Sequence, residues 1–243
     1  MADPGPLIST RQVQRLFVSP AETVRAVDGV DFEASAGEFV CLFGHSGSGK
    51  TTLLNLLAGL DLPTAGSVMV AGHDLASISV DDRIRLRRQE LGVVHQAHLL
   101  INEFTAAENV ALPMEANGVA TATAIDEAEK LLTSVGLHGH GARYPSELSG
   151  GQQQRVGIAR ALSGGRRVLL ADEPTGSLDS RNAAAIFTLL ASLAEAGTLV
   201  IVASHDPNCQ RYATRSVEML DGQVVGQVVG QISGKAFGET VAP

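Results

Sequence analysis

The sequence predicts a mixed α/β fold, in which a sheet flanked by helices has an antiparallel edge and a helical subdomain is inserted into the core. Short apolar runs at 39–43, 168–171 and 198–203 are typical of buried strands, because they are too short for helices. Between them lie segments whose apolar residues recur with helical spacing. Residues 101–163 lose the strand pattern and predict helices alone.

Further strands are expected towards both ends of the chain. They lie at 7–18, 24–33, 67–70, 91–94, 216–220 and 223–228. The last two flank Asp221-Gly222, a dipeptide that favours a hairpin turn. This pair of strands predicts the antiparallel edge of the sheet.

The predicted helices fill most of the remaining chain. The inserted block contains helices at 105–117, 121–135 and 152–162, and a later helix runs from the N-cap Ser180 to about residue 196. With 243 residues, of which 44% are hydrophobic, the chain is long enough for one domain with a sizeable core. We expect a single domain over 1–243, a helical subdomain at about 101–163, and a loose tail from about 230.

The apolar run at 39–43 leads into GHSGSGKT at 44–51, and an amphipathic helical pattern follows. The glycines let consecutive backbone N–H groups point at one centre, where the helix N-terminus adds partial positive charge. Lys50 can then reach the β- and γ-phosphates, and the Thr51 hydroxyl can bind Mg²⁺. A glycine-rich turn without chemical meaning is the alternative, but the flanking strand and helix favour nucleoside triphosphate binding.

Polar residues also follow three other predicted strands. Asp172 is placed to hold Mg²⁺ between the β- and γ-phosphates, and Glu173 can orient and deprotonate an attacking water. His205 can donate a hydrogen bond to the γ-phosphate, although a single histidine at a strand end is more often structural. Gln96 follows the strand at 91–94. In open α/β sheets ligands bind beyond the carboxyl ends of strands, so these side chains are expected to converge.

A second anion site is predicted at the start of the helix near residue 152. Ser149, Gly150, Gly151 and Gln152 supply a hydroxyl and free N–H groups at a helix N-terminus. One loop can cradle phosphates from one side, so a second element is expected to close over the other side.

With these motifs the chain resembles the ATP-binding subunit of an ABC transporter over about residues 7–228. The family's motifs occur in its order: the Walker A motif at 44–51, the Q-loop Gln96, the signature LSGGQQQRV at 148–156, the Walker B motif VLLADE at 168–173, the D-loop Ser177-Leu178-Asp179 and the switch histidine His205. Three positions depart from the usual pattern: His45, His95 and Ser177.

The resemblance implies a set of site residues. The implied catalytic residues are Lys50, Gln96, Glu173 and His205, and the implied metal ligands are Thr51, Gln96 and Asp172. The implied nucleotide contacts are Phe17, Gly44, His45, Ser46, Gly47, Ser48, Gly49, Lys50, Thr51, Thr52, Ser149, Gly150, Gly151, Gln152 and Asp179. Phe17 stands where the family places a base-stacking aromatic, although a core or edge aromatic fits the local pattern equally well.

The implied mechanism involves two cassettes, either two copies or a copy with a close paralogue. They would pack head to tail around ATP and Mg²⁺ and drive a separate membrane permease from the cytoplasmic face. Segments such as LLNLLAGLDLPTAG and YPSELSGGQQQRVGIARAL resemble the lipoprotein-releasing and macrolide-export branch, and cell-division and amino-acid-uptake ATPases are similar there. An ABC ATPase that transmits force to a membrane protein without transport is the alternative.

Composition argues against other function classes. The net charge of −8 disfavours a nucleic-acid-binding face. Two cysteines without metal-site spacing indicate core thiols in a reducing compartment. No signal peptide is expected from the N-terminal residues, and no apolar run reaches the roughly 18 residues that would span a bilayer.

Overall fold

Two β-sheets form the framework of the chain in its computed structural model, which describes residues 5–20, 22–95 and 99–229. In chain order the strands are β1 (Ile8–Val18), β2 (Thr23–Ala34), β3 (Phe39–Phe43), β4 (Ala65–Val70), β5 (His73–Asp74), β6 (Leu91–Val94), β7 (Val168–Asp172), β8 (Leu199–Ser204), β9 (Arg215–Leu220) and β10 (Gln223–Val229). The helices are α1 (Lys50–Leu57), α2 (Val80–Glu90), α3 (Ala106–Glu115), α4 (Thr121–Ser134), α5 (Gly150–Leu162), α6 (Ser180–Glu195) and α7 (Cys209–Tyr212).

The central sheet has the strand order β10-β9-β3-β8-β7-β6. Strands β6, β7, β8, β3 and β9 are parallel, and β10 is antiparallel to β9. β8 is buried along its whole length, as expected for a parallel strand covered on both faces. Because the parallel strands share one direction, their carboxyl ends meet along one edge, and β10 provides the predicted antiparallel edge.

A second sheet, with the order β2-β1-β4-β5, is antiparallel throughout. Its core residues, such as Val13 and Val68, share one apolar cluster with Leu53 of α1 and Leu42 of the central sheet. α1 therefore packs between the two sheets, which fixes the loop that precedes it.

Helices α3, α4 and α5 lie in the chain between the neighbouring strands β6 and β7. Their buried side chains, including Val110, Leu132 and Val156, continue into the core on the other face of the central sheet. The predicted fold class is thus confirmed, whereas the domain boundaries and the loose tail, which lies outside the described residues, stay predictions. Within the described part of the chain no helix has the length and apolar character needed to cross a bilayer.

The predicted helix bounds differ from the structure by one or two residues, and the predicted N-cap of α6 is wrong by one. The N-cap of α6 is Asp179 and not Ser180, because the Asp179 carboxylate accepts hydrogen bonds from Asn182 N at 2.9 Å and Asn182 Nδ2 at 2.7 Å. Both residues are good N-caps by type, so local sequence alone does not choose between them. The short elements β5 and α7 were also not predicted, since neither has a periodic pattern long enough to detect.

Candidate nucleotide-binding site

A cavity of about 880 Å³ opens at the carboxyl ends of β3, β7 and β8. Its lining includes residues 44–52, Asp172, Glu173 and His205, together with five residues that sequence patterns did not single out: Ala26, Phe43, Glu218, Met219 and Leu220. The phosphate-loop sequence and the polar residues that follow β7 and β8 therefore meet in one place. The predicted site residue Gln96 lies outside the described residues.

Lys50 lies beneath the loop that precedes it. The side chain is 6% exposed, and Nζ donates to the carbonyl oxygens of Gly44 and His45 at 2.8 and 2.9 Å. The described part of the chain places no carboxylate within ion-pair distance of this ammonium. Its third partner, the Ser48 hydroxyl at 3.5 Å, is also neutral. An ammonium held by neutral oxygens alone is well placed to attract an anion in the cavity.

Two glycines let the rest of the fold approach this loop closely. A Cβ at Gly44 would lie 2.4 Å from the carbonyl oxygen of Met219, and a Cβ at Gly49 would lie 2.2 Å from that of Ala26. Gly49 also has φ of 99°, a left-handed conformation that favours glycine. Packing of the surrounding fold therefore requires glycine at both positions.

The turn between β9 and β10 holds the loop from outside. Gly222 N donates to the carbonyl oxygen of Ser48 at 3.1 Å, and the carbonyl oxygen of Gly222 accepts from Asp28 N at 2.9 Å. Gly222 has φ of 81°, and a Cβ there would lie 2.8 Å from the carbonyl oxygen of Arg25. The hairpin turn thus links the phosphate loop to β2.

We expect Gly222→Ala to weaken nucleotide binding and to lower the free energy of unfolding. Gly72→Ala is a matched control, because Gly72 has a similar φ of 83° but open space around its Cβ position. Left-handed strain alone should cost about 1–2 kcal/mol in either variant, whereas Gly222→Ala also displaces the turn and should cost about 2–4 kcal/mol in all. Thermal unfolding and titration with a fluorescent nucleotide measure both effects; equal losses in the two variants would contradict this role of the turn.

Glu173 is held in a defined orientation towards the end of β8. Its Oε1 accepts a hydrogen bond from His205 N at 3.1 Å and lies 2.8 Å from His205 Nδ1, while Ser204 Oγ donates to Oε2 at 3.4 Å. Glu173 has φ of 47°, which is costly for a residue with a side chain. Such strain is common at functional sites, where the surrounding structure fixes the conformation.

Asp172 lies beside Thr51, the residue after the loop lysine. The Thr51 hydroxyl donates to Asp172 Oδ1 at 3.1 Å. Burial raises the pKa of the Asp172 carboxyl, the hydrogen bond from Thr51 opposes this rise, and the Glu173 carboxylate adds to it. A cation beside Asp172 would offset the cost of burying its charge.

The predicted second anion site lies elsewhere on the molecule. Ser149 is the N-cap of α5 and forms a capping box with Gln152, yet among the described residues that line the cavity none belongs to 149–152. Asp179 is also outside the lining. One copy of the chain therefore does not bring its phosphate loop and its signature segment together.

Phe17 is not among the residues that line the cavity, but strand pairing brings it close to one of them. It pairs with Val24 of β2, two residues before the lining residue Ala26. The ring is 44% exposed, and the Arg15 guanidinium carbon lies 4.6 Å from its centre. An aromatic ring with this exposure at the edge of the site is available for stacking.

Comparisons with known proteins agree with this geometry. Residues 27–176 match the family model described as ABC transporter. The macrolide export ATP-binding/permease proteins MacB of Escherichia coli (strain K12) and of Marinobacter nauticus are 40% and 42% identical over 220 and 222 residues. These alignments cover 90% and 91% of this chain but 34% of either relative, so the chain spans about a third of the length of the curated relatives it matches.

Solved structures match over nearly the whole chain. A dimeric post-hydrolysis state of the ATP-binding cassette MJ0796, bound to ADP and Pi, has a TM-score of 0.83 and 35% identity, and the match covers 94% of this chain and 100% of that one. A second dimeric structure of MJ0796, described as a bacterial ABC transporter cassette, has the same TM-score and 36% identity. With this fold, this cavity and a family model that spans more than half of its length, the chain belongs to the ABC transporter family, as an ATPase domain.

Proposed function

We propose that the chain hydrolyses ATP as one half of a head-to-tail dimer that drives a membrane permease. The observation that carries this proposal is the separation of two anion-binding elements. The cavity holds Lys50, Asp172 and Glu173, whereas Ser149 at the start of α5 lies outside it. A second copy, with its own α5 facing the cavity, would complete the site, and the similar cassettes of known structure are dimeric.

Triphosphate binding would use the phosphate loop and the start of α1. Lys50 is the first residue of α1, so the helix N-terminus, whose first N–H groups have no acceptor within the helix, faces the cavity. The Lys50 ammonium would exchange one or both of its carbonyl partners for phosphate oxygens. Phe17 would stack on the base at the rim, where half of its ring is accessible.

The residues beside the loop fit Mg²⁺. Thr51 and Asp172 present a hydroxyl and a carboxylate oxygen, the hard ligands that this ion prefers, and Mg²⁺ commonly takes its remaining ligands from phosphates and water. The described part of the chain contains no cluster of three or more acidic, histidine or cysteine side chains that could hold a metal without such help. When bound, the ion would neutralise charge on the β- and γ-phosphates. Gln96 stays a predicted third ligand.

Glu173 would accept a proton from the attacking water. Its carboxylate is 18% exposed and is oriented by the His205 N–H, so a free lone pair can face the cavity. The His205 side chain is 67% exposed. Because the Glu173 carboxylate can only accept, Nδ1 carries a proton in this contact, and donation from Nε2 to the γ-phosphate would need a proton on that nitrogen as well. Ser204 and His205 thus position the base, and His205 would also contact the phosphate.

Asp172→Asn tests the proposed metal ligand through stability. Because its pKa is raised on folding, ionised Asp172 destabilises the protein by an amount that grows as pH rises above the ordinary carboxyl value and is complete above the raised value. Asparagine can still accept from Thr51 but carries no charge. At pH 7 we therefore expect ligand-free Asp172→Asn to have a higher thermal midpoint than the ligand-free wild type. The difference between the two midpoints should shrink as pH falls towards 4.

Mg-ATP should reverse the order of the two thermal midpoints, so that the wild type becomes more stable than Asp172→Asn. Mg-ATP at a hundredfold excess over its Kd stabilises a protein by about 2.7 kcal/mol, and the variant should lose most of this gain. Differential scanning fluorimetry with ATP, with and without Mg²⁺, measures it. Equal stabilisation of the two proteins by Mg-ATP would contradict metal binding at Asp172.

The permease is the part of the proposal that depends on relatives. MacB is by name an ATP-binding and permease protein for macrolide export. We therefore propose that the partner is the permease of an exporter or a lipoprotein-release system. The experiment is affinity purification of tagged Glu173→Gln chain from detergent-solubilised membranes, with and without Mg-ATP. A permease with a large extracytoplasmic domain supports the proposal, and a partner tied to cell-wall enzymes would favour force transmission without transport. Recovery of no membrane protein, while the ATP-dependent dimer forms, would contradict both.

A further inference from the structure

The signature segment is hydrogen-bonded to a histidine outside the motif. Gln152 Nε2 lies 3.3 Å from His140 Nε2, in a partly buried contact. On the other side of the same amide, Gln152 Oε1 accepts a hydrogen bond from Ser149 N at 2.9 Å. His140 therefore contacts the residue that closes the capping box of α5.

The partners of each atom determine the direction of these hydrogen bonds. Ser149 N–H is a donor, so the Gln152 oxygen must face it and the Gln152 NH₂ must face His140. His140 Nε2 is then the acceptor nitrogen. Its Nδ1 lies 3.0 Å from the carbonyl oxygen of His138, which can only accept, so Nδ1 carries the proton. Ser149, Gln152, His140 and His138 thus form one directed chain of hydrogen bonds.

The loop that carries His140 is anchored to α3. The first two N–H groups of this helix, those of Ala106 and Ala107, donate to the carbonyl oxygens of Arg143 and Gly141 at 2.8 and 2.9 Å. Helix N-termini need such acceptors, and here the loop supplies them. His140 is consequently presented to Gln152 from a fixed backbone.

We propose that His140 is a positioning residue for the signature segment, which keeps Ser149 ready to contact the phosphates of a nucleotide bound to the partner copy. Gln152 N donates to Ser149 Oγ at 3.3 Å, so the hydroxyl proton stays available for an anion. Without an acceptor at position 140 the Gln152 NH₂ loses its partner, the amide is no longer held on that side, and the capping box opens more readily. This proposal rests on the proposed head-to-tail dimer.

The test compares His140→Leu, His140→Gln and His138→Leu, each in a Glu173→Gln background that retains ATP. Glutamine can place an oxygen near the position of His140 Nε2, whereas leucine cannot accept a hydrogen bond. His138→Leu removes the neighbouring imidazole and keeps its carbonyl oxygen. Analytical ultracentrifugation with Mg-ATP measures the dimer dissociation constant, and nucleotide titration at low protein concentration measures binding to the monomer.

We expect His140→Leu to raise the dimer dissociation constant about fivefold or more, the size of one lost hydrogen bond. ATP affinity of the monomer should stay within about twofold, because His140 is not among the residues that line the cavity of its own chain. His140→Gln should restore dimerisation, and His138→Leu should leave it unchanged. If His140 served only to stabilise the fold, His140→Leu would lower thermal stability in step with dimerisation, and His140→Gln would not restore dimerisation.

Three results would overturn the proposal: unchanged dimerisation of His140→Leu, equal weakening by His138→Leu, or no rescue by glutamine. If His140→Leu does not fold, His140→Asn replaces it, since its amide is too short to reach Gln152. Failure of the Glu173→Gln parent to dimerise with Mg-ATP would overturn the proposed function as well. If the Glu173→Gln parent and its His140→Leu variant dimerise equally well, only the role of His140 is overturned, and the proposed function stands.

Discussion

Glu173→Gln should lower steady-state ATP hydrolysis at least about 100-fold while ATP still binds, which is the scale expected for loss of a general base. The amide oxygen of glutamine can still accept from His205 N at the Oε1 position, and its NH₂ can donate to Ser204 Oγ at the Oε2 position, so the local structure should survive. An amide cannot take a proton from water, however, so the bound nucleotide should persist unhydrolysed.

The measurement pairs a phosphate-release assay with nucleotide titration. Glu195→Gln, an exposed substitution at the end of α6, is the matched control and should keep wild-type turnover. Near-normal turnover of Glu173→Gln would exclude Glu173 as the base. Loss of ATP binding in that variant would instead indicate a role in holding the nucleotide.

The local parts of the site could be predicted because each depends on a short stretch of chain. The strand, the glycine-rich loop and α1 are adjacent in sequence, and the position of Lys50 follows from the loop alone. Asp172, Glu173 and His205 follow buried strands, and parallel strands place such ends at one edge of the sheet. Their roles in binding and catalysis stay predictions.

The parts that could not be predicted depend on contacts between distant segments. Met219 and Gly222 approach the phosphate loop because β9 pairs with β3, a pairing that no local pattern reveals. Ala26 reaches Gly49 at a place where the register of β1 and β2 shifts. His140 resembles an ordinary loop residue until α3 and α5 bring it to Gln152. A sequence pattern identifies residues of suitable chemistry, whereas their positioning partners emerge only from the assembled fold.

Replacement of Lys50 should weaken nucleotide binding itself, in contrast to Glu173→Gln. The ammonium is buried among neutral oxygens, and no described carboxylate lies within ion-pair distance, so its charge is the main attraction that this side chain offers to a triphosphate. A hydrogen bond to a charged group is worth about 1.5–3 kcal/mol, and Lys50 can make more than one to phosphate oxygens. We expect Lys50→Ala to weaken ATP binding by at least about 100-fold.

Two further variants separate charge from loop structure. Alanine also removes the hydrogen bonds to Gly44 and His45, so the loop conformation changes together with the charge. Lys50→Met keeps most of the aliphatic chain and its packing, and should lose ATP affinity to a similar extent while it unfolds at a temperature close to that of the wild type. Lys130→Ala removes an exposed lysine of α4 and should bind ATP normally. Isothermal titration calorimetry of all three variants measures these affinities, and unchanged ATP affinity of Lys50→Met would show that the phosphate loop binds nucleotide without its lysine charge.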